Sequence, residues 1–258
     1  MHHDYIDHLA MGDSLAHRLD PRAKLAVAVV FTAFVVSVPK YAAAALVPYA
    51  IVPFAWLAFG GVPFGFVARH LLVVSPFILF VAVFNPLYDT RPVLVHVGPW
   101  AFWVRAGVLS CLSICGKFVL TVSALVALVS TTRFHELLKA MAWFRLPRLF
   151  IIELSFLYRY LFLLVEQVQR LKRARECRAV GKSRLGWGLR STGGIIGNLF
   201  LRTLERAERV YAAMAARGFD GSVRTLARFR MRAADYAFLA GALLFVVALR
   251  FGADLPLP

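Results

Sequence analysis

The sequence predicts an all-α integral membrane protein: about five transmembrane helices, long amphipathic coupling helices in the cytosol and a short external hairpin. Three observations lead there. Apolar residues make up 60% of the 258, charged residues only 17%, and mean hydropathy is +0.69. A soluble domain of this size carries about 25% charge. Long apolar runs recur along the chain, separated by Gly, Pro and basic punctuation. The net charge of +16 is concentrated: residues 132–232 hold 21 Lys and Arg against 7 Asp and Glu. Beside membrane spans, such a block marks the cytosolic side. The expected organisation is therefore four spans within 1–131, a cytosolic region 132–232, and a last span in 233–258. Nucleic acid is not expected as a partner, because the block has no reader motif and is tied to membrane spans.

In chain order, Met1–Asp20 is polar and lacks an A-x-A site, so no cleavable signal peptide is expected. His2, His3 and His8 with Asp4 and Asp7 have metal-binding chemistry, but a polar terminus of this kind is ordinarily unstructured, and no metal site is assigned. Asp20-Pro21 reads as a helix start, Asp capping free N–H groups and Pro at the first helical position. Ala23–Val38 is the first span, its start held on the cytosolic side by Arg18, Arg22 and Lys24. Pro39-Lys40 turns the chain, and Tyr41–Phe59 returns, with Pro48 and Pro53 as kink points. Gly60-Gly61-Val62-Pro63 breaks the chain. Phe64–Leu72, with Arg69 and His70, is expected along the interface before a third span at about 71–87. Val93–Val104 reads as a β-hairpin turning at Gly98-Pro99, with Trp100 and Trp103 at headgroup level.

The fourth span covers about 107–131. Its Lys117 is expensive in a bilayer and is read as structurally paired. Cys111, Cys115 and Cys177 give no disulfide framework; the first two read as small buried apolar groups. Thr131 onward forms a short amphipathic helix with a Thr N-cap, ended by Pro147. Phe150–Val165 is a partly embedded entry to the first long helix. Gly181–Gly194 is a break, and 233–251 is the last span, with Gly252–Pro258 outside. The N-terminus is then cytoplasmic.

The cytosolic region carries the functional signal. Leu164, Val168, Leu171, Arg175 and Arg178 are spaced by alternating steps of four and three, one face of an α-helix. Phe200, Leu204, Ala207, Tyr211, Met214 and Arg217 repeat the pattern. Each apolar ridge ends in arginine at a helix C-terminus, where the helix dipole favours a cation. Gly218 can take the left-handed conformation that ends a helix. Such a ridge fills a groove on a partner while the guanidinium grips a carboxylate. The plainer alternative is a solvated basic face that only sets topology or meets anionic lipid. Two helices of the same design favour docking. No Walker A pattern or catalytic triad spacing occurs, so no enzymatic activity and no cofactor is expected.

Leu15-Ala-His-Arg-Leu-Asp-Pro-Arg-Ala-Lys-Leu25 resembles the N-terminal signature of the T component of energy-coupling-factor (ECF) transporters. Ala213-Met-Ala-Ala-Arg-Gly-Phe219 resembles that family's second Ala-Arg-Gly motif. The similarity runs from about Tyr5 to the last span, and Ile6-Asp7 and the length look most like the cobalt-type members, CbiQ. The resemblance implies a multi-pass protein of the inner (plasma) membrane, the scaffold of an ATP-driven importer for cobalt ions. Its partners would be cytosolic ABC ATPase subunits, a membrane S component that binds the substrate, and a small accessory membrane subunit. It also implies that the Ala-Arg-Gly motifs end coupling helices seated in ATPase grooves. The second motif falls on Ala216, Arg217 and Gly218. The first falls on Ala174 and Arg175, with Glu176 in place of glycine, so Arg175 and Arg178 both stand as the first coupling arginine. Nickel-type relatives share these features, so a T component for nickel or another micronutrient stands as the alternative. A reading from another class, a self-contained cation channel or secondary transporter, would need polar residues lining several spans.

Overall fold

The computed structural model describes residues 10, 12–88, 92–97, 100–178, 185–221 and 231–253. The His-rich start, the Gly98-Pro99 turn, residues 181–184 of the expected glycine break and the tail beyond 253 lie outside them, as do the Trp100 and Trp103 side chains. The chain divides into two compact units, 1–140 with 229–258 and, separately, 141–228.

In the first unit, helix α1 (Pro21–Ser37) starts as expected. The Asp20 carboxylate accepts a hydrogen bond from the Arg22 N–H at 2.9 Å, and Pro21 occupies the first turn. The return through 41–59 is not one kinked helix. Two 3₁₀ turns, Ala43–Leu46 and Pro48–Ala50, precede a ten-residue helix α2 (Ile51–Gly60). Proline supplies no N–H for an α-helical bond, so the chain tightens around Pro48 instead. Gly61, at φ 63°, ends α2: its N–H reaches the Ala58 carbonyl, and the Val62 N–H reaches that of Leu57.

Helix α3 (Phe64–Tyr88) runs unbroken through the segment expected to lie on the interface. Arg69 is exposed, and His70 Nδ1 bonds the Phe66 carbonyl one turn back at 2.9 Å, so neither polar residue interrupts it. Strands β1 (Pro92–Val97) and β2 (Trp100–Arg105) form the antiparallel hairpin, with Val97 opposite Trp100 and Pro92 opposite Arg105. Helix α4 (Ala106–Thr131) follows, then the short α5 (Phe134–Trp143). The expected threonine cap of α5 does not form. Thr131 bonds back to the Ala127 carbonyl at 2.7 Å, and the buried Thr132 hydroxyl has no partner. The Arg133 backbone carbonyl instead opens the helix. The last element is α8 (Ala233–Ala253).

Segments Ala43–Gly60, Phe64–Pro86, Ala106–Thr131 and Ala233–Phe251 are each long and apolar enough to cross a bilayer. These four make the chain an integral membrane protein. The fifth expected span, α1, has 17 residues. At about 1.5 Å per residue it is at the short end of the roughly 17–25 residues that cross a bilayer, and it runs beside α4, its start bonded at Thr131 and its end at Lys117. It packs against both α4 and α8. Phe31 and Val35 meet Tyr49, Leu120, Ala124 and Val246 in one cluster. Val27 and Ala28 meet Trp56, Leu57 and Ala127 in the next.

The second unit consists mainly of two long helices, α6 (Arg148–Glu176) and α7 (Leu185–Ala216). Pro147 does not end α5 but caps the start of α6. The stop for α5 is Arg145, a non-glycine residue at φ 62°, whose N–H bonds the Ala142 carbonyl while that of Leu146 bonds Met141. The segment 185–194, expected as a break, is helical. Glycine costs a helix about 1 kcal/mol per residue relative to alanine, and propagation through a 32-residue helix overrides that here.

Candidate coupling site

Helices α6 and α7 are amphipathic but self-sufficient on neither face. No residue of α6 is buried. On α7 the ridge residues Phe200, Leu204 and Tyr211 stand 64%, 49% and 69% exposed. A patch of that kind on a folded protein marks a surface meant to be covered. Exposed ion pairs along the same helices, Glu166 with Arg170 at 2.5 Å and Glu205 with Arg209 at 3.8 Å, follow the i,i+4 rule and contribute only a few tenths of a kcal/mol each.

The two helices meet in antiparallel order. Arg175 Nη1 donates to Thr192 Oγ1 at 3.0 Å, and Thr192 in turn bonds the Gly188 carbonyl at 2.8 Å. Further along, Phe156, Tyr160 and Leu164 of α6 and Val210, Tyr211 and Met214 of α7 line an apolar groove of about 310 Å³. Phe219 closes it from beyond the end of α7. That closure depends on Gly218. At φ 75° its N–H reaches the Ala215 carbonyl, and the Phe219 N–H reaches that of Met214 at 3.1 Å. The glycine thus turns the chain back so that Phe219 joins the groove containing Met214.

The six residues singled out from the sequence occupy different settings. Ala216 is the last residue of α7, and Arg217 follows it, exposed at the turn. Ala174 is exposed on α6, whereas Arg175 is half-buried by its bond to Thr192. Arg178 does not continue the α6 stripe. The helix stops at Glu176, the Cys177 N–H caps back to Arg173, and Arg178 sits exposed in the following turn. Spacing arithmetic held only as far as the helix did.

A second polar constellation lies in the first unit. Lys24 is completely buried, and its Nζ donates to the Thr131 carbonyl at 2.8 Å and the His17 carbonyl at 3.3 Å. Asp235, 3% exposed, accepts the Asp20 N–H at 2.7 Å through one carboxylate oxygen and the Arg232 N–H at 2.7 Å through the other. Asp20, Asp235 and Glu136 are the acidic groups that act on Lys24. This network fastens the residue before the block 132–232 and the residues after it to the start of α1. Asp20 was legible as a helix cap and Lys24 as a marker of the cytosolic side, but Asp235 and Thr131 were missed. The available signal was a carboxylate in the first turn of an apolar helix, which needs partners. Lys117 is likewise paired, donating to the carbonyls of Val36 at 3.0 Å and Val38 at 2.6 Å, where it caps the end of α1. Among the described residues no three His, Cys, Asp or Glu side chains stand together as a metal site.

Comparison with known proteins covers most of the chain. A family model described as cobalt transport protein, CbiQ, matches residues 12–229. The cobalt transport protein CbiQ of Rhodobacter capsulatus is 36% identical over 100 residues, 38% of this chain and 40% of that protein. The nickel permease LarQ of Lactiplantibacillus plantarum is 35% identical over 115 residues, 44% of this chain and 41% of its own length. An uncharacterised protein of Methanocaldococcus jannaschii is 31% identical over 118 residues, 46% of this chain and 40% of its own length. The chain thus spans about two fifths of the length of these curated relatives.

Proposed function

The chain belongs to the CbiQ family of cobalt transport proteins, and from that membership we propose that it is the membrane scaffold, the T component, of an ATP-driven ECF importer for cobalt ions. The observation that carries this reading is the pair α6 and α7, two long helices with uncovered apolar faces and arginine at their ends. The chain lies in the plasma membrane with its N-terminus and residues 132–232 in the cytosol, an orientation supported by the placement of positive charge. There the ridges of α6 and α7 dock into grooves of two ABC ATPase subunits. The bilayer-spanning part holds a substrate-binding S component and a small accessory subunit. The chain itself catalyses nothing; its partners hydrolyse ATP.

In this mechanism ATP draws the ATPases together, their grooves displace Arg217 and the end of α6, and the helices carry that displacement to the membrane part. Guanidinium is suited to the task because it stays charged and can hold a carboxylate through two parallel hydrogen bonds. Arg175 is already engaged with Thr192, a bond that braces α6 against α7, while Arg178 is exposed. Both remain in the coupling set with Ala174, Ala216, Arg217 and Gly218.

Arg217→Glu in the assembled complex is expected to abolish uptake of radiolabelled cobalt, by releasing the ATPases or by leaving their hydrolysis uncoupled. Removing one partner of such a pair costs about 2–5 kcal/mol, enough to lose the contact. Undiminished uptake with intact assembly in a triple Arg175→Glu/Arg178→Glu/Arg217→Glu variant would overturn the proposal. A nickel substrate is the second reading, favoured by the similarity to a nickel permease. Competition between the two labelled ions for uptake separates them.

A further inference from the structure

The first unit contains a cavity of about 710 Å³, lined by none of the coupling residues. One wall is α2, through Ile51, Ala55 and Phe59; the other is α8, through Phe238, Gly241 and Phe245. Its walls run along two segments apolar enough to cross a bilayer. Ile51 and Phe59 are 58% and 63% exposed, so the slot opens sideways, toward lipid. The slot is open at Gly241, where a Cβ would meet nothing within 4 Å.

At the end where α1 and α8 begin, Arg18 and Arg232 line the mouth, and both are exposed. Among the described residues neither guanidinium has an ion-pair partner. The carboxylate on the same wall, Asp235, is buried, with both oxygens already accepting backbone N–H groups. It therefore leaves the two guanidiniums without a direct partner. An apolar slot along membrane-spanning helices, ending in two guanidiniums at one mouth, matches the layout of a phospholipid: acyl chain below, phosphodiester above. The small face Ala237–Gly241 would also admit a helix of another membrane protein. A helix alone would leave the paired cations unanswered, so charge complementarity decides between them.

We propose that the groove between α2 and α8 is a binding site for one anionic phospholipid, its phosphate held by Arg18 and Arg232 and an acyl chain laid along Gly241.

The test is native mass spectrometry of the full-length protein titrated with phosphatidylglycerol and, separately, phosphatidylcholine. Wild type is expected to retain phosphatidylglycerol about thirtyfold more tightly, in line with two interfacial arginines. Arg18→Gln/Arg232→Gln should erase that preference, and Gly241→Phe should lower occupancy by filling the slot. Arg69→Gln, an exposed arginine on α3 away from the groove, should change nothing. The double glutamine variant alters only exposed side chains, so its result stands even if Gly241→Phe fails to fold. Equal retention of the two lipids by wild type, or an unchanged preference in the double variant, would overturn the site. So would displacement of the lipid by inorganic phosphate. A cross-link from Gly241→Cys to a second membrane protein in the assembled complex, with no lipid retained, would give the groove to a partner helix instead.

Discussion

Replacing Lys24 by methionine keeps most of the side-chain volume and removes one buried ammonium. Two carbonyls, Thr131 at 2.8 Å and His17 at 3.3 Å, lose their charged donor. Hydrogen bonds to a charged group contribute about 1.5–3 kcal/mol each, and the longer of these two belongs at the low end. Removing the ammonium also relieves its own cost of burial, but leaves Asp20 and Asp235 without the cation beside them. Breaking a buried charged network from one side typically costs about 3–5 kcal/mol. Weighing these, Lys24→Met should destabilise the protein by about 3 kcal/mol. In a chain of this size that corresponds to a fall in Tm of about 6–12 °C. The measurement is thermal unfolding of the detergent-solubilised protein followed by tryptophan fluorescence; Trp56, 3% exposed, reports from the neighbouring core cluster. Lys117→Met is the reference. It also removes a lysine bonded to two carbonyls, but from a less enclosed site, and should cost about 1 kcal/mol. A Lys24→Met protein melting within about 2 °C of wild type, or below Lys117→Met in its cost, would refute the reasoning that enclosure decides the magnitude.

Two further substitutions test local geometry. Gly218→Ala forces a Cβ into the left-handed region at φ 75°, at a cost of about 1 kcal/mol; hydrogen exchange of the Phe219 amide should quicken by several-fold, and an unchanged rate would remove Gly218 as the reason α7 ends where it does. At Gly60 a Cβ would stand 3.0 Å from Thr131 Cγ2 and 3.3 Å from Val62 Cγ2, so Gly60→Val is expected to lower stability by about 1–3 kcal/mol through overpacking, measured by the same melt.

Where the sequence was informative, a local physical demand left its mark on one residue type. The apolar runs of α4 and α8 could be placed to within a residue or two because a bilayer requires them to be long. The stops at Gly61 and Gly218 were legible because a positive φ selects glycine. Arg145 performs the same function at φ 62° and was invisible, since nothing about arginine announces it. The opposite error arose at 185–194, where glycines suggested a break that the helix ignores. Arg69 and His70 suggested an interfacial piece, yet His70 spends its polarity on its own helix. Within the candidate site, the ridges and Arg217 followed from spacing, but placing Arg178 on the same face assumed a helix that stops at Glu176. The Asp235 carboxylate signalled that partners were needed, but which ones could not be read in advance, because Thr131 and Asp235 are remote in sequence and no periodicity links them to residue 24.

That remoteness has a consequence for the order of assembly. The Asp20 backbone N–H waits for a carboxylate 215 residues later, so the start of the first helix stays unfinished until the last one has been synthesised. Contacts of such separation form late and slowly. Until then Lys24 is a cation on an apolar helix with no settled place, and a chain cut short before Asp235 keeps that fault exposed. The join between Asp20 and Asp235 therefore distinguishes a chain that includes α8 from one cut before it, and a nascent chain lacking α8 would be held back as a substrate for proteolysis.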